Sequence, residues 1–132
     1  MEIFDPLRKK YVALTPEEEV RQTTISLLRD RCLCPASLMM SEYSFKFNRL
    51  NYRADIVVFD RMLRPVMLVE CKAPTVKLTD EVVDQALRYN RVLDVPFIMI
   101  TNGEAVFLFK RVGDTGVYSS AEHVPTYEEM IK

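Results

Sequence analysis

Two neighbouring stretches decide the fold: Arg53-Ala54-Asp55-Ile56-Val57-Val58-Phe59-Asp60 and Val66-Met67-Leu68-Val69-Glu70-Cys71-Lys72. Ala54–Asp60 and Val66–Lys72 read as strands because β-branched and large apolar residues run unbroken between polar ends. Arg61-Met62-Leu63-Arg64 is left as the loop that joins them. A four-residue loop sets Asp60 against Pro65, Phe59 against Val66, Val57 against Leu68 and Asp55 against Glu70. Residues opposed in this way have Cβ atoms about 4.5–5.5 Å apart. Period-2 geometry puts Asp55, Val57 and Phe59 on one face of their strand, and Val66, Leu68, Glu70 and Lys72 on one face of theirs. Lys72 then lies about 6.7 Å beyond Glu70 along the strand.

Working outward, Thr15-Pro16-Glu17-Glu18 marks a helix start. Thr15 can cap, Pro16 suits the first helical position and Glu18 completes a capping box. Val20, Thr24, Leu27 and Leu28 recur at helical spacing to about Arg31. The first fourteen residues read as an arm, with a short strand at Tyr11-Val12-Ala13-Leu14. Tyr43–Phe47 alternates like a half-buried strand. Leu78 to Leu93 is helical, with Leu78, Val82, Val83, Ala86, Leu87 and Leu93 on one face. Phe97–Thr101 and Glu104–Lys110 are strands, and Asn102-Gly103 predicts a two-residue hairpin between them. Pro125–Met130 closes with a short helix. The order predicts an α/β domain over residues 15–132: a mixed sheet of about five strands, flanked by helices, with one parallel β-α-β pair.

Composition narrows the function. Lys+Arg number 18 and Asp+Glu 19, for a net charge of −1, so no global basic signature marks a nucleic-acid binder. A local one exists: residues 46–77 carry seven Lys+Arg against three acids. No run approaches the roughly 18 apolar residues of a membrane span, and the first residues lack the pattern of a signal peptide. Three cysteines, with Cys32-x-Cys34 lacking zinc-spaced partners, suit a reducing compartment such as the cytoplasm.

The carboxylates at 55 and 70 stand at the edge of an apolar face. Two like charges this close are unfavourable unless a cation sits between them. A hard divalent ion would resolve the conflict, and Mg²⁺ commonly uses one or two carboxylates plus phosphate oxygens. An ion pair of Lys72 with Glu70 or Asp55 explains the same residues, and Asp-x14-Glu-x-Lys spacing alone does not separate the two. Gln85 and Tyr89 neighbour one another on the second helix, Tyr89 on the apolar face and Gln85 at its edge.

Tyr52-Arg53-Ala54-Asp55-Ile56-Val57-Val58, Val69-Glu70-Cys71-Lys72-Ala73-Pro74 and Gln85-Ala86-Leu87-Arg88-Tyr89 together resemble the PD-(D/E)XK nuclease superfamily. The likeness is to the N-terminal nuclease domain of type I restriction enzyme motor subunits. Thr15-Pro16-Glu17-Glu18 with Val20-Arg21-Gln22, and Thr101-Asn102-Gly103, extend it from about Tyr11 to Lys110. Ala54 stands where the family has a proline.

The resemblance implies a restriction-endonuclease-like three-layer core and a metal-dependent DNA endonuclease. Asp55 and Glu70 would bind Mg²⁺, or Mn²⁺ in its place, with the backbone carbonyl of Cys71. Lys72 would serve the attacking water and the developing charge. Glu17 is the candidate for a further metal-site glutamate from the first helix. Gln85 and Tyr89 would support Lys72 or contact the substrate backbone. DNA is the expected partner, with a homodimer or a larger restriction or repair complex as the assembly. The alternative is a catalytically silent nuclease fold that holds nucleic acid or a protein.

Overall fold

A computed structural model describes residues 1–132. β1 (Glu2–Asp5) and β2 (Lys10–Ala13) pair antiparallel, so the expected short strand near Tyr11 is one half of a hairpin formed by the first fourteen residues. Its turn is held by Asp5, whose Oδ1 accepts from the Leu7 and Arg8 amides. Asp5 is fully buried and also accepts from Ser41 Oγ, which ties the hairpin to the main body.

Helix α1 (Pro16–Asp30) starts as its sequence predicts, with Thr15 Oγ accepting from the Glu18 amide. The expected capping box is only half formed. Glu18 turns inward and accepts instead from Arg8, Arg21 and Gln22, because two guanidiniums, that of Arg21 buried, outcompete a single backbone N–H. A 3₁₀ turn (Ala36–Leu38) leads into β3 (Met39–Phe47), β4 (Leu50–Phe59) and β5 (Pro65–Cys71). Asn48 and Arg49, both at positive φ, make the two-residue turn between β3 and β4. After α2 (Asp80–Asn90) and a 3₁₀ turn (Arg91–Leu93) come β6 (Phe97–Thr101), β7 (Val106–Val112), β8 (Val117–Ala121) and α3 (Tyr127–Met130).

The main sheet runs β3-β4-β5-β6-β7-β8, and only β5 and β6 are parallel, joined by the α2 crossover. It has six strands where about five are expected. The extra one, β8, is a mostly exposed edge strand whose sequence carries no apolar alternation to announce it. The Asn102-Gly103 connection spans four residues, since Thr101 pairs with Val106 and Asn102 Oδ1 accepts from the Glu104 and Ala105 amides. Gly103 sits at φ +93°, a conformation closed to most other residues.

Two cores sandwich the sheet. On one face Ile25 and Leu28 of α1 and Tyr127 and Met130 of α3 pack with Ile56, Val58, Met67, Val69 and Met99. On the other, Val83 and Ala86 of α2 pack with Val57, Leu68, Ile98 and Ile100. Strand alternation thus feeds both layers, and the domain has the three-layer form. No helix is long and apolar enough to cross a membrane.

Val57 lies opposite Leu68 as expected, but Phe59 faces Pro65 rather than Val66. A bulge between Val58 and Phe59 absorbs the difference. It shifts Val66 to the α1 face, away from Leu68.

Candidate active site

The site begins where β4 leaves β5. The last pair of their ladder is Ile56 with Val69. One step on, the Cys71 amide donates to Asp55 Oδ2 at 2.7 Å, so a side chain takes the place of a backbone acceptor. β5 meanwhile stays paired with β6 through Glu70–Ile100 and Cys71–Thr101, and the Lys72 amide bonds Thr101 O at 2.8 Å. Asp55 and the Glu70–Lys72 segment are therefore fixed by different strands across a widening gap.

Arg21 of α1 reaches that gap from one side. Its guanidinium contacts Asp55 Oδ1 at 2.8 Å, Glu18 at 2.5 Å, Glu42 at 2.6 Å and Glu17 at 3.4 Å. The side chain is 5% exposed, and its Nε is buried without a partner. Burial alone would lower the pKa of Arg21, but the hydrogen bond and charge of Asp55, then the charges of Glu18 and Glu42, carry it upward. Asp55 thus points toward the α1 layer, while Val57, nominally on the same face, packs toward α2. Glu42 sits at φ +51° between the Ser41–Ile56 and Tyr43–Ala54 pairs. It joins Arg21 to Arg53, whose Nε lies 3.3 Å away.

From the other side, α2 supplies Asn90. Its buried amide donates to Glu70 Oε1 at 2.9 Å and to Ala86 O at 2.7 Å. Glu70 Oε2 meets Lys72 Nζ at 2.9 Å. That hydrogen bond, outweighing the cost of burial, raises the Lys72 pKa, so the side chain is an ammonium.

A cleft of about 200 Å³ brings together Glu17, Asp55, Glu70, Lys72, Tyr89 and Asn90. Glu17 therefore lines the same cleft as Asp55, Glu70 and Lys72. Burial and the neighbouring Asp55 charge push its carboxyl above the usual carboxylate range. Tyr89 is 42% exposed rather than packed in the apolar face, and its hydroxyl accepts from the Arg53 amide. The helix ends here over an open cleft instead of over the sheet. Gln85 is exposed on an adjoining groove with Glu70, Lys72 and Tyr89, and makes no hydrogen bond to Lys72. The Cys71 thiol is buried, which raises its pKa; Cys32 and Cys34 lie in the core on the α1 face.

The donors that face the cleft are hard oxygens. No group of three or more His, Cys, Asp or Glu converges to enclose an ion. Each carboxylate oxygen has two lone pairs, so Asp55 and Glu70 keep acceptor capacity beyond their present partners. Such a pair suits Mg²⁺, which retains water and takes its remaining oxygens from carbonyls or phosphates.

Arg21, Glu42 and Asn90 escape the sequence reading. Arg21 is visible there only as part of the Val20-Arg21-Gln22 motif. Asn90 has a weak signal, a polar residue one turn beyond Ala86. Glu42 has none.

The family model for the type I restriction enzyme R protein N terminus matches residues 16–125. Among solved structures, the chain is similar to a fragment assigned as an HsdR subunit of a type I restriction enzyme from Vibrio vulnificus YJ016. The TM-score is 0.61 at 23% identity, a likeness of fold. It covers 91% of this chain and 25% of that one, so this chain spans about a quarter of its structural relative. No curated protein sequence matches it significantly.

Proposed function

We propose that this chain, which belongs to the family of type I restriction enzyme R protein N termini, is a metal-dependent deoxyribonuclease domain. The observation that carries the reading is the single cleft holding Glu17, Asp55, Glu70 and Lys72, with both inner carboxylates oriented by buried donors. Asp55, Glu70 and the Cys71 carbonyl would hold Mg²⁺ or Mn²⁺, with Glu17 adding a carboxylate from α1. When bound, the ion lowers the pKa of a coordinated water and offsets charge on the scissile phosphate.

The chain's own residues do the rest. Arg21 and the Cys71 amide hold Asp55 in one orientation, and Asn90 does the same for Glu70. Lys72 presents N–H donors to the attacking water and to the charge that gathers on phosphorus-bound oxygen. Water adds to phosphorus, the ester P–O bond breaks, and a phosphate monoester and a hydroxyl result. Gln85 and Tyr89 line the approach, where they would contact the substrate backbone. The partner is DNA, and the domain works as one module of a larger restriction complex.

Purified protein should cleave DNA in Mg²⁺ or Mn²⁺. Asp55→Asn, Glu70→Gln and Lys72→Ala should each abolish cleavage while Tm stays high enough for a folded chain. Activity that persists in all three variants would remove the assignment.

A second reading has its own support. Each oxygen of Asp55 and Glu70 already accepts from a protein donor, which is how a silent, binding-only nuclease fold would close its site. Thermal melts in Mn²⁺ separate the two. An Asp55-dependent rise in Tm favours the nuclease, and no rise favours the silent module.

A further inference from the structure

A second groove, of about 580 Å³, opens beside the cleft along the outer half of the β3–β4 hairpin. Phe45, Lys46, Asn51, Tyr52, Arg53 and Tyr89 line it. Phe45 pairs with Tyr52 across the strands, and their rings are stacked at 8° with centroids 5.6 Å apart. Tyr52 lies 5.1 Å from Tyr89, which extends the aromatic surface onto α2. Lys46 and Arg53 are exposed on the same groove, and no carboxylate lines it. Arg53 and Tyr89 belong to both the groove and the cleft, so the two are continuous.

We propose that this groove is a stacking track for unpaired nucleotides of the DNA strand being cut; the choice of DNA rests on the nuclease reading above. Ring faces bind bases only when those bases are free of a complementary strand. A duplex would present phosphates, which call for cations rather than aromatic rings. Lys46 supplies a cation for the backbone of the same strand, while the Arg53 guanidinium is paired with Glu42. Tyr52 precedes Asp55 by three residues, about 10 Å along a strand. At about 3.4 Å per stacked nucleotide, that places the ring roughly three nucleotides from a phosphate held at Asp55. The substrate class is therefore DNA with a single-stranded segment next to the cleavage point, such as a frayed end, a gap or a displaced strand.

A purely architectural role for these rings, as cross-strand pairs that hold the hairpin, makes different predictions. The test measures binding of the 132-residue chain to a labelled oligothymidylate, and to a blunt duplex of equal length, by fluorescence anisotropy in EDTA. Without metal, binding is read apart from cleavage. The track predicts tighter binding of the single strand, and a loss of about tenfold in Tyr52→Leu. Lys46→Glu, an exposed change that does not threaten the fold, should weaken binding severalfold and flatten its salt dependence.

Equal affinity for single strand and duplex overturns the proposal, as does a folded Tyr52→Leu variant that binds within twofold of the parent. Should Tyr52→Leu fail to fold, Lys46→Glu decides, and unchanged binding overturns the track. A chain that binds oligothymidylate through Tyr52 but never cleaves DNA in Mn²⁺ supports the track and overturns the nuclease reading instead.

Discussion

Replacing Arg21 with methionine keeps most of the apolar stem and removes one buried charge from among four carboxylates. In the native protein Arg21 touches Asp55, Glu18, Glu42 and Glu17, and the first three side chains are 13%, 6% and 24% exposed. Breaking a buried ion pair from one side costs about 3–5 kcal/mol, because the abandoned charge stays buried. The lower end applies here. Asp55 retains the Cys71 amide, Glu18 retains Arg8 and Gln22, and Glu42 retains Arg53. Unfolding entropy near 2.1 cal/mol/K per residue amounts to about 0.28 kcal/mol/K for 132 residues. A loss of about 3 kcal/mol then lowers Tm by about 10 °C. Calorimetry measures this directly, and addition of Mn²⁺ supplies a second arm. With Arg21 gone, a divalent ion can replace its charge, so Mn²⁺ should raise the variant's Tm more than the parent's. At a hundredfold over its Kd the ion returns about 2.7 kcal/mol. A Tm drop below about 4 °C would refute the idea that Arg21 is the charge on which this cluster depends.

Asn90→Ala leaves Glu70 with Lys72 alone, so Mn²⁺ affinity measured by titration calorimetry should fall about tenfold, the usual cost of losing a residue that orients a ligand. Glu17 is disfavoured as an anion because burial and Asp55 raise its pKa above the ordinary 4.5. The folded chain then holds that proton more tightly than the unfolded one, and stability falls as pH rises through this range. Glu17→Gln should therefore raise Tm at pH 7, and the gain should vanish as pH drops below about 4.5. Asp5 behaves oppositely. Burial would raise its pKa, but Ser41, Arg8 and the turn amides together lower it from 3.8. Its contribution is present above about pH 3.8 and lost as acid protonates it, so Asp5→Asn should loosen the β1–β2 hairpin at neutral pH, seen as faster amide exchange there, and flatten the acid limb of the stability curve.

The elements that could be read from sequence are those whose signals are local. Thr15-Pro16 announces α1, the apolar runs announce β4 and β5, and the period change after Leu78 announces α2 and its parallel crossover. Register set Asp55 opposite Glu70 and near Lys72, whereas Glu17 entered only through the family resemblance; the structure lines one cleft with all four. What stayed hidden depends on partners far apart in the chain. The first hairpin is anchored by Asp5 to Ser41, 36 residues on. Arg21 looks like an exposed helical cation until the 34-residue span to Asp55 closes. Tyr89 departs from the apolar face of α2 for a related reason. Periodicity assumes that a helix meets the same packed neighbour along its whole length, whereas the last turn of α2 looks across to Tyr52 and Arg53 at the cleft.

The cleft itself is a consequence of how the strands part. β5 must stay with β6 to keep the parallel pair through Cys71–Thr101, while the β4–β5 ladder stops at Ile56–Val69. The gap that follows would leave the Cys71 amide buried and unpaired, a cost of about 1–3 kcal/mol. Asp55 removes that cost by accepting from it, and in doing so acquires a fixed orientation at the mouth of the gap. Arg21 and Asn90 then reach in from α1 and α2, one to each carboxylate, so the two helical layers hold the site between them. An asparagine at 55 presents only one acceptor oxygen, which cannot serve both the Cys71 amide and Arg21 as the two carboxylate oxygens do. Asp55→Asn should accordingly cost stability as well as metal binding, with Tm lowered by several degrees in the absence of any divalent ion. A melt of Asp55→Asn in EDTA that overlays the parent's would mean that the aspartate is not part of what holds the strands apart.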